Sequence, residues 1–203
     1  DKQRLDIVKD VSQVECIQKH RKEITYQDII GIEKTESVIR DTIAISAEEV
    51  ATIINITPVV KVKESRIADN KVIIGGVLEI NPMACTLDSD VVELDKVGID
   101  FTQFIEVPGA FDGMKEETLL SIGDFNYNFR DNSESSTAML EIECTVCCKV
   151  KVTDEVTREV LQDAYSPQKI VKFDHRLISL NKTLCSMTDN FTVRETLSPE
   201  DET

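Results

Sequence analysis

Tryptophan is absent from this chain of 203 residues, aromatic side chains make up only 5% of it, and there are two histidines. Sugar recognition by stacking needs exposed aromatic planes, and acid–base or metal chemistry draws heavily on histidine, so both functions start from scarce material. His20 lies in the basic run "QKHRK" and His175 in "KFDHRL". In a strand, Asp174 would point away from the face that carries His175 and could not orient it. No GxSxG elbow, phosphate-binding glycine loop or HExxH pair occurs. Catalytic, cofactor-binding and metal-ligating residues are therefore all expected to be none, and the chain is read as not an enzyme.

Basic charge is also short. There are 23 Lys and Arg against 38 Asp and Glu, a net charge of -15, and no basic stripe interleaved with aromatics. Nucleic acid is repelled by such a surface rather than gripped. No apolar run approaches the roughly 18 residues of a membrane-spanning helix, which excludes a membrane span of that kind. The N-terminal "DKQRLDIVKD" lacks the basic-then-apolar layout of a secretory leader, so the expectation is retention on the cytosolic side or a leader already removed. What remains, 41% hydrophobic and 30% charged, is the balance of an ordinary folded domain with a core of its own.

Strands follow one another along the chain. In "AMLEIECTVCCKVKV" (138–152) the even positions Ala138, Leu140, Ile142, Cys144, Val146, Cys148, Val150 and Val152 are apolar, while Glu143 and Lys149 belong to a wet face. Phe125, Tyr127 and Phe129 alternate with polar residues just upstream, which predicts a hairpin across "DNSESS". "VVKVKESRI" and "KVIIGGVLEI" flank the turn pair Asp69-Asn70 and predict a second hairpin, with Gly75 and Gly76 marking a bulge or a close backbone approach. Phe and Tyr fall mainly on the expected core faces. Helical candidates are short: "SAEEVATII" (46–54) with Ser46 as N-cap, and "DEVTREVLQDAY" (154–165), which suits a strand equally well. The fold class is all-β: an antiparallel β-sandwich or jelly-roll-like body with N- and C-terminal arms. The arm covers 1–35, the body 36–180 and the tail 181–203.

The tail repeats an earlier pattern. "RDTI" then "SAEE" (40–49) is echoed by "RETL" then "SPED" (194–201), either by chance or because another unit begins there. On the second reading "NFTVRETL" is a strand in search of a sheet, with Phe191, Val193, Arg194 and Leu197 as the strand-donation candidates. Of the six cysteines, Cys144 and Cys148 fall on the core face of the long strand and Cys147 on the opposite, exposed one, so "CTVCC" does not converge on zinc. Cys16 and Cys185, in the arms, are the first candidates for intersubunit disulfides and Cys147 the third.

The segment "FTQFIEVPGA" (101–110) has the content of architecture: a strand end anchored by Phe101 and Phe104, a Pro108-Gly109 corner, and Gly113 closing the loop. Together with "ADNKVIIGGVLEI" before it and "QDAYSPQKI" after it, this segment resembles the SPOCS (spore coat and spore cortex) domain family of endospore-forming Firmicutes over about residues 36–180. The matching motif residues are Phe101, Gln103, Phe104, Ile105, Val107, Pro108, Gly109 and Ala110. The resemblance implies a building module of spore-envelope morphogenetic proteins, often in tandem and sometimes beside a peptidoglycan-binding LysM module, of which no sign is visible here. It implies a structural, self-assembling protein, a coat component or the subunit of a spore-surface filament or appendage, made in the mother-cell cytoplasm. Its partners would be copies of itself and other spore-envelope proteins. The alternative is a monomeric binding module that recognises a coat protein or glycan.

Overall fold

The computed structural model describes residues 8, 16–46, 50–130, 137–170, 172, 177 and 179. Seven strands account for most of them: β1 (Gln18–Ser46), β2 (Thr52–Ala68), β3 (Lys71–Cys85), β4 (Val91–Glu93), β5 (Val97–Glu106), β6 (Lys115–Arg130) and β7 (Thr137–Tyr165). Every pairing among them is antiparallel. One sheet is ordered β1-β7-β6; in the other, β3 has β2 on one side and β4 and β5 in succession on the other.

The central strands are the two with the cleanest alternation. In β7 the even positions from Ala138 to Val152 are buried, Leu140, Cys144, Val146, Val150 and Val152 completely, while Glu143 and Lys149 are wet. In β3, Val72, Ile74, Leu78, Ile80 and Ala84 are likewise fully buried. These two rows face each other and form a continuous core between the sheets. Leu78 and Ile80 pack with Leu140 to Val146, and Val72 and Ile74 with Cys148 to Val152. The antiparallel β-sandwich and its expected core are thus observed, and Cys144 and Cys148 fill it as small apolar side chains.

Both expected hairpins form. Ala68 pairs with Lys71 across Asp69-Asn70, and Asn70 takes the left-handed backbone (φ 59°) that asparagine tolerates in such turns. β6 pairs with β7 from Lys115↔Thr153 to Arg130↔Met139, the connecting residues 131–136 lying outside those described. At Gly75 and Gly76 both anticipated causes operate. The register of β2 slips between Val62 and Glu64 opposite them, and a Cβ on Gly76 would stand 2.4 Å from Cζ of Phe101, whose ring covers it from β5.

Two expectations need correction. The helical candidate 46–54 is not a helix, since Thr52–Ile54 open β2; of the two readings left open for 154–165 the strand is the observed one, continuing β7. Val50 and Ile53 bury in the sandwich, and β-branched side chains favour that extended backbone. The boundary drawn at 35/36 falls inside one strand, because residues 18–35 are the first part of β1 and pair with 148–165. Gly31 even touches the other sheet, where a Cβ would approach Cγ1 of buried Val107 to 2.7 Å. Beyond Thr153, where β6 stops, β1 and β7 continue as a paired ribbon to Gln18 and Tyr165, and the Val8 carbonyl accepts the Leu161 N–H at 3.2 Å. The tail 181–203 lies outside the described residues.

Removing residues 1–35 should therefore strip β7 of its partner across Cys148–Tyr165 and lower the melting temperature sharply or abolish the cooperative transition. Circular dichroism melts check this; a chain starting at residue 36 that melts with the full chain would show 18–35 to be dispensable.

Candidate functional site

The segment 101–110 is the end of β5 and the corner that follows. Period-two geometry turns Phe101, Gln103, Ile105 and Val107 inwards and Phe104 out. Gln103, Ile105, Val107 and Ala110 are buried and Phe101 packs on the core, whereas Phe104 is 67% exposed. The expected pair of anchors is thus a single one, because residues three apart in a strand lie on opposite faces. Phe111, Tyr127 and Tyr165 are exposed as well, so fewer aromatics serve the core than the pattern suggests.

The corner is clamped by one residue. Asn70 accepts a hydrogen bond at its carbonyl from the Val107 N–H and gives its own N–H to the Ala110 carbonyl, both at 2.8 Å. Its side-chain Oδ1 accepts the Gly109 N–H at 2.8 Å. Gly109 sits at φ 87°, a backbone region open to glycine and costly for other residues. The clamp joins the β2–β3 turn to the Val-Pro-Gly-Ala corner, two stretches nearly forty positions apart. Asn70 was read from the sequence only as a turn residue; its side-chain role carries no local signal beyond the Asp-Asn pair.

Gln103 is 5% exposed, and neither its Oε1 nor its Nε2 has a partner. A buried amide left unbonded costs about 1–3 kcal/mol, so it stands out in an otherwise apolar row. Glu79, on the outer face of β3, accepts Lys61 at 2.7 Å and Lys96 at 2.5 Å, and these two ammonium groups hold its carboxyl below the usual carboxylate range. Across the outer face of the other sheet, Arg40, Thr42, Asn126, Asn128, Glu141 and Glu143 line an open hollow of about 590 Å³. Arg40 donates to Glu143 at 2.6 Å and Asn128 to Glu141 at 3.2 Å.

The cysteines separate as strand geometry requires. Cys144 and Cys148 are buried, and burial raises both thiols, Cys148 to about 11 with a further contribution from Glu116. Cys147 is half-buried rather than exposed, lying opposite Glu36 and Ser121 on the neighbouring strands. Desolvation raises its thiol, as do Glu36 and Asp124, so at neutral pH it is a weak nucleophile. Cys16 is exposed at a left-handed turn just before β1. Among the described residues no three His, Cys, Asp or Glu side chains group so as to hold a metal ion. Cys185, His175 and the strand-donation candidates Phe191, Val193, Arg194 and Leu197 lie outside the described residues. No described helix is long and apolar enough to cross a membrane.

Set against family models, residues 49–130 match the one described as SipL, SPOCS domain. The matched span runs from the start of β2 to the end of β6 and includes both halves of the Asn70 clamp. Neither curated proteins nor solved structures give a match to the chain.

Asn70→Ala should cost about 1–3 kcal/mol in urea unfolding, since it removes the Gly109 acceptor and places a Cβ without a compensating bond in left-handed backbone. Asn70→Gly, which keeps the backbone, should cost less; equal losses would show the side-chain bond to be immaterial. In alkylation by iodoacetamide at neutral pH, followed by mass spectrometry, Cys16 should react first, Cys147 slowly, and Cys144 and Cys148 only after denaturation. Because Glu36 raises the Cys147 thiol, Glu36→Gln should speed alkylation of Cys147 at fixed pH, and raising the pH should speed it in the wild type.

Proposed function

We propose that this chain, whose residues 49–130 match the SPOCS domain model, is a sporulation-related, structural, self-assembling protein of the bacterial endospore envelope. The family match is the observation that carries the reading. In it the chain is a coat component or the subunit of a spore-surface filament or appendage, not an enzyme. It is made in the mother-cell cytoplasm and delivered to the envelope or spore surface, where it meets copies of itself and other envelope proteins.

The architecture supports such a role. Strands β1 and β7 are 29 residues each, several times the usual strand length, and β1 is paired along one edge only among the described residues. An edge of that kind accepts another strand by backbone hydrogen bonding, and a donor that repeats head-to-tail without closing builds a filament. The donor in this reading is "NFTVRETL", with Phe191 and Val193 supplying apolar contact. Cys16 and Cys185 are the first candidates to lock the joint covalently, and Cys147 comes third because its thiol is half-buried and raised.

Size-exclusion chromatography with negative-stain microscopy tests this, with and without reductant. The full chain should run as oligomers or fibres under oxidising conditions, and deletion of 186–203 should leave a folded but less associated protein. Cys16→Ser or Cys185→Ser should lower the resistance of the oligomer to denaturant in the absence of reductant. A protein that stays monomeric at high concentration under oxidising conditions would favour a monomeric module that recognises a coat protein or glycan.

A further inference from the structure

The two long sides of the sandwich are finished differently. On one side β2 meets β6, and Glu116 accepts hydrogen bonds from Ser65 and Thr118, tying sheet to sheet. On the other side β1 lies by β5, and here the inward-facing Gln103 is buried with its whole amide unbonded. A polar group that desolvated wants a partner, and the sandwich as folded does not supply one.

The free edge of β5 lies beside that amide. Because the Val107 N–H bonds the Asn70 carbonyl, the ladder phase is set: odd-numbered residues of β5 exchange hydrogen bonds with β3, and Gly98, Asp100, Thr102, Phe104 and Glu106 turn theirs outward. No described residue bonds to these outward groups. Edge strands β2 and β6 carry devices that discourage strand addition. β2 has Pro58, two register slips and Lys61 and Lys63, and β6 slips between Ile122 and Phe125; on β1, the edge given above to a second copy, Lys22, Lys34 and Arg40 disfavour a strand rich in lysine or arginine. Val97–Glu106 contains no proline, lysine, arginine or slip.

Charge selects what fits there. From Asp88 to Glu106 the chain has Asp88, Asp90, Glu93, Asp95, Asp100 and Glu106 against a single Lys96; Lys63 of β2 reaches over to pair with Asp100, and Lys96 pairs with Glu79, so the segment keeps an acidic excess. The segment given above the role of joining copies, "NFTVRETLSPEDET", has one Arg against Glu195, Glu200, Asp201 and Glu202 and brings the wrong sign to this edge.

We propose that the free edge of β5 is an acceptor for an extended, lysine- or arginine-rich strand of a different polypeptide, which sets a basic side chain beside Glu106 and a polar side chain beside Gln103. Backbone pairing provides the hold, and the alternation of basic outward with apolar and polar inward residues provides the selectivity. The site differs from the joint between copies, so it stands whether or not the chain polymerises.

The test uses the full chain and an end-capped synthetic decapeptide in which lysine alternates with valine and threonine. Amide hydrogen exchange is followed residue by residue by NMR. In the free protein the amides of Asp100, Thr102, Phe104 and Glu106 should exchange quickly and those of Phe101, Gln103 and Ile105 slowly. Saturating peptide should slow the even-numbered set at least tenfold and leave the odd set unchanged. Thr102→Pro removes an outward donor without touching the β3–β5 bonds and should weaken peptide binding at least tenfold. Should that variant fold poorly, Glu106→Lys should weaken it as much while the melt stays intact. Equal binding of the peptide with glutamate in place of lysine would overturn the proposal. So would binding without protection of the even-numbered amides, or protection arising from a second copy at high protein concentration.

Discussion

Two strands, β3 and β7, turn unbroken rows of apolar side chains towards each other, and the exclusion of water between those rows decides where every other strand can lie. Each fully buried Leu, Ile or Val contributes about 1.5–3 kcal/mol, and a slip of one residue in either strand would move its whole row to the wet face. Register in the middle of the sandwich is therefore strongly determined. The flanking strands need bury only part of a face, and they are correspondingly polar. β1 sets Glu33, Thr35 and Ser37 opposite buried Val150, Cys148 and Val146, and β6 sets Thr118 opposite Val150. Polar residues are tolerable there because the rim of a sandwich still reaches water.

From that apposition follows the work of "FTQFIEVPGA". β5 has to lie against β3 closely enough to extend the core, and the Gly76–Phe101 contact lets it, an aromatic ring filling the space a side chain would otherwise take. At its end the chain must turn back across the mouth of the sandwich without leaving backbone groups unbonded. Asn70 solves this by offering a carbonyl, an amide N–H and a side-chain oxygen to three residues of the corner. Proline and glycine then supply the bend, and Val107 and Ala110 plug the end of the core. The one odd member is Gln103, whose polarity no neighbour repays.

The parts of this fold legible in the sequence are those whose two faces differ most. β7 could be read position by position because burial on one face and water on the other leave eight alternating residues. The β2–β3 hairpin was readable because Asp69-Asn70 is a turn signal between apolar runs. The first half of β1 was not readable: "QKHRKEITYQDIIG" belongs to an edge strand and a ribbon, where neither face is fully buried and the alternation fades. The helical reading of 46–54 failed because an acidic first turn and a plausible cap are local signals, and Val50 and Ile53 answer to the sandwich. Phe104 was misjudged through hydrophobicity alone; its parity relative to Phe101 already placed it outside. The Gln103 vacancy and the Asn70 clamp depend on contacts across the fold and leave no mark in local pattern.

The length of β1 and β7 raises a separate physical question. A strand of 29 residues spans about 95 Å at roughly 3.3 Å per residue, whereas β3, which covers the core face, has 15 residues. About half of the β1–β7 ladder therefore runs on without a second sheet. A two-stranded ribbon buries too little to be stable by itself, so its order must come from continuity with the sandwich and from cross-strand pairs. On one face Arg21 meets Glu159 at 3.1 Å and the hydroxyls of Thr25 and Thr157 meet at 2.9 Å. On the other, Tyr26 lies opposite Val156 with Ile24 and Val160 alongside, all half-buried and in line with the row that fills the core. The inner face of the sheet thus keeps its apolar character past the point where its own partner sheet ends. Among the described residues the apolar face of this ribbon is only partly covered, which suits an element whose remaining contacts come from outside the sandwich.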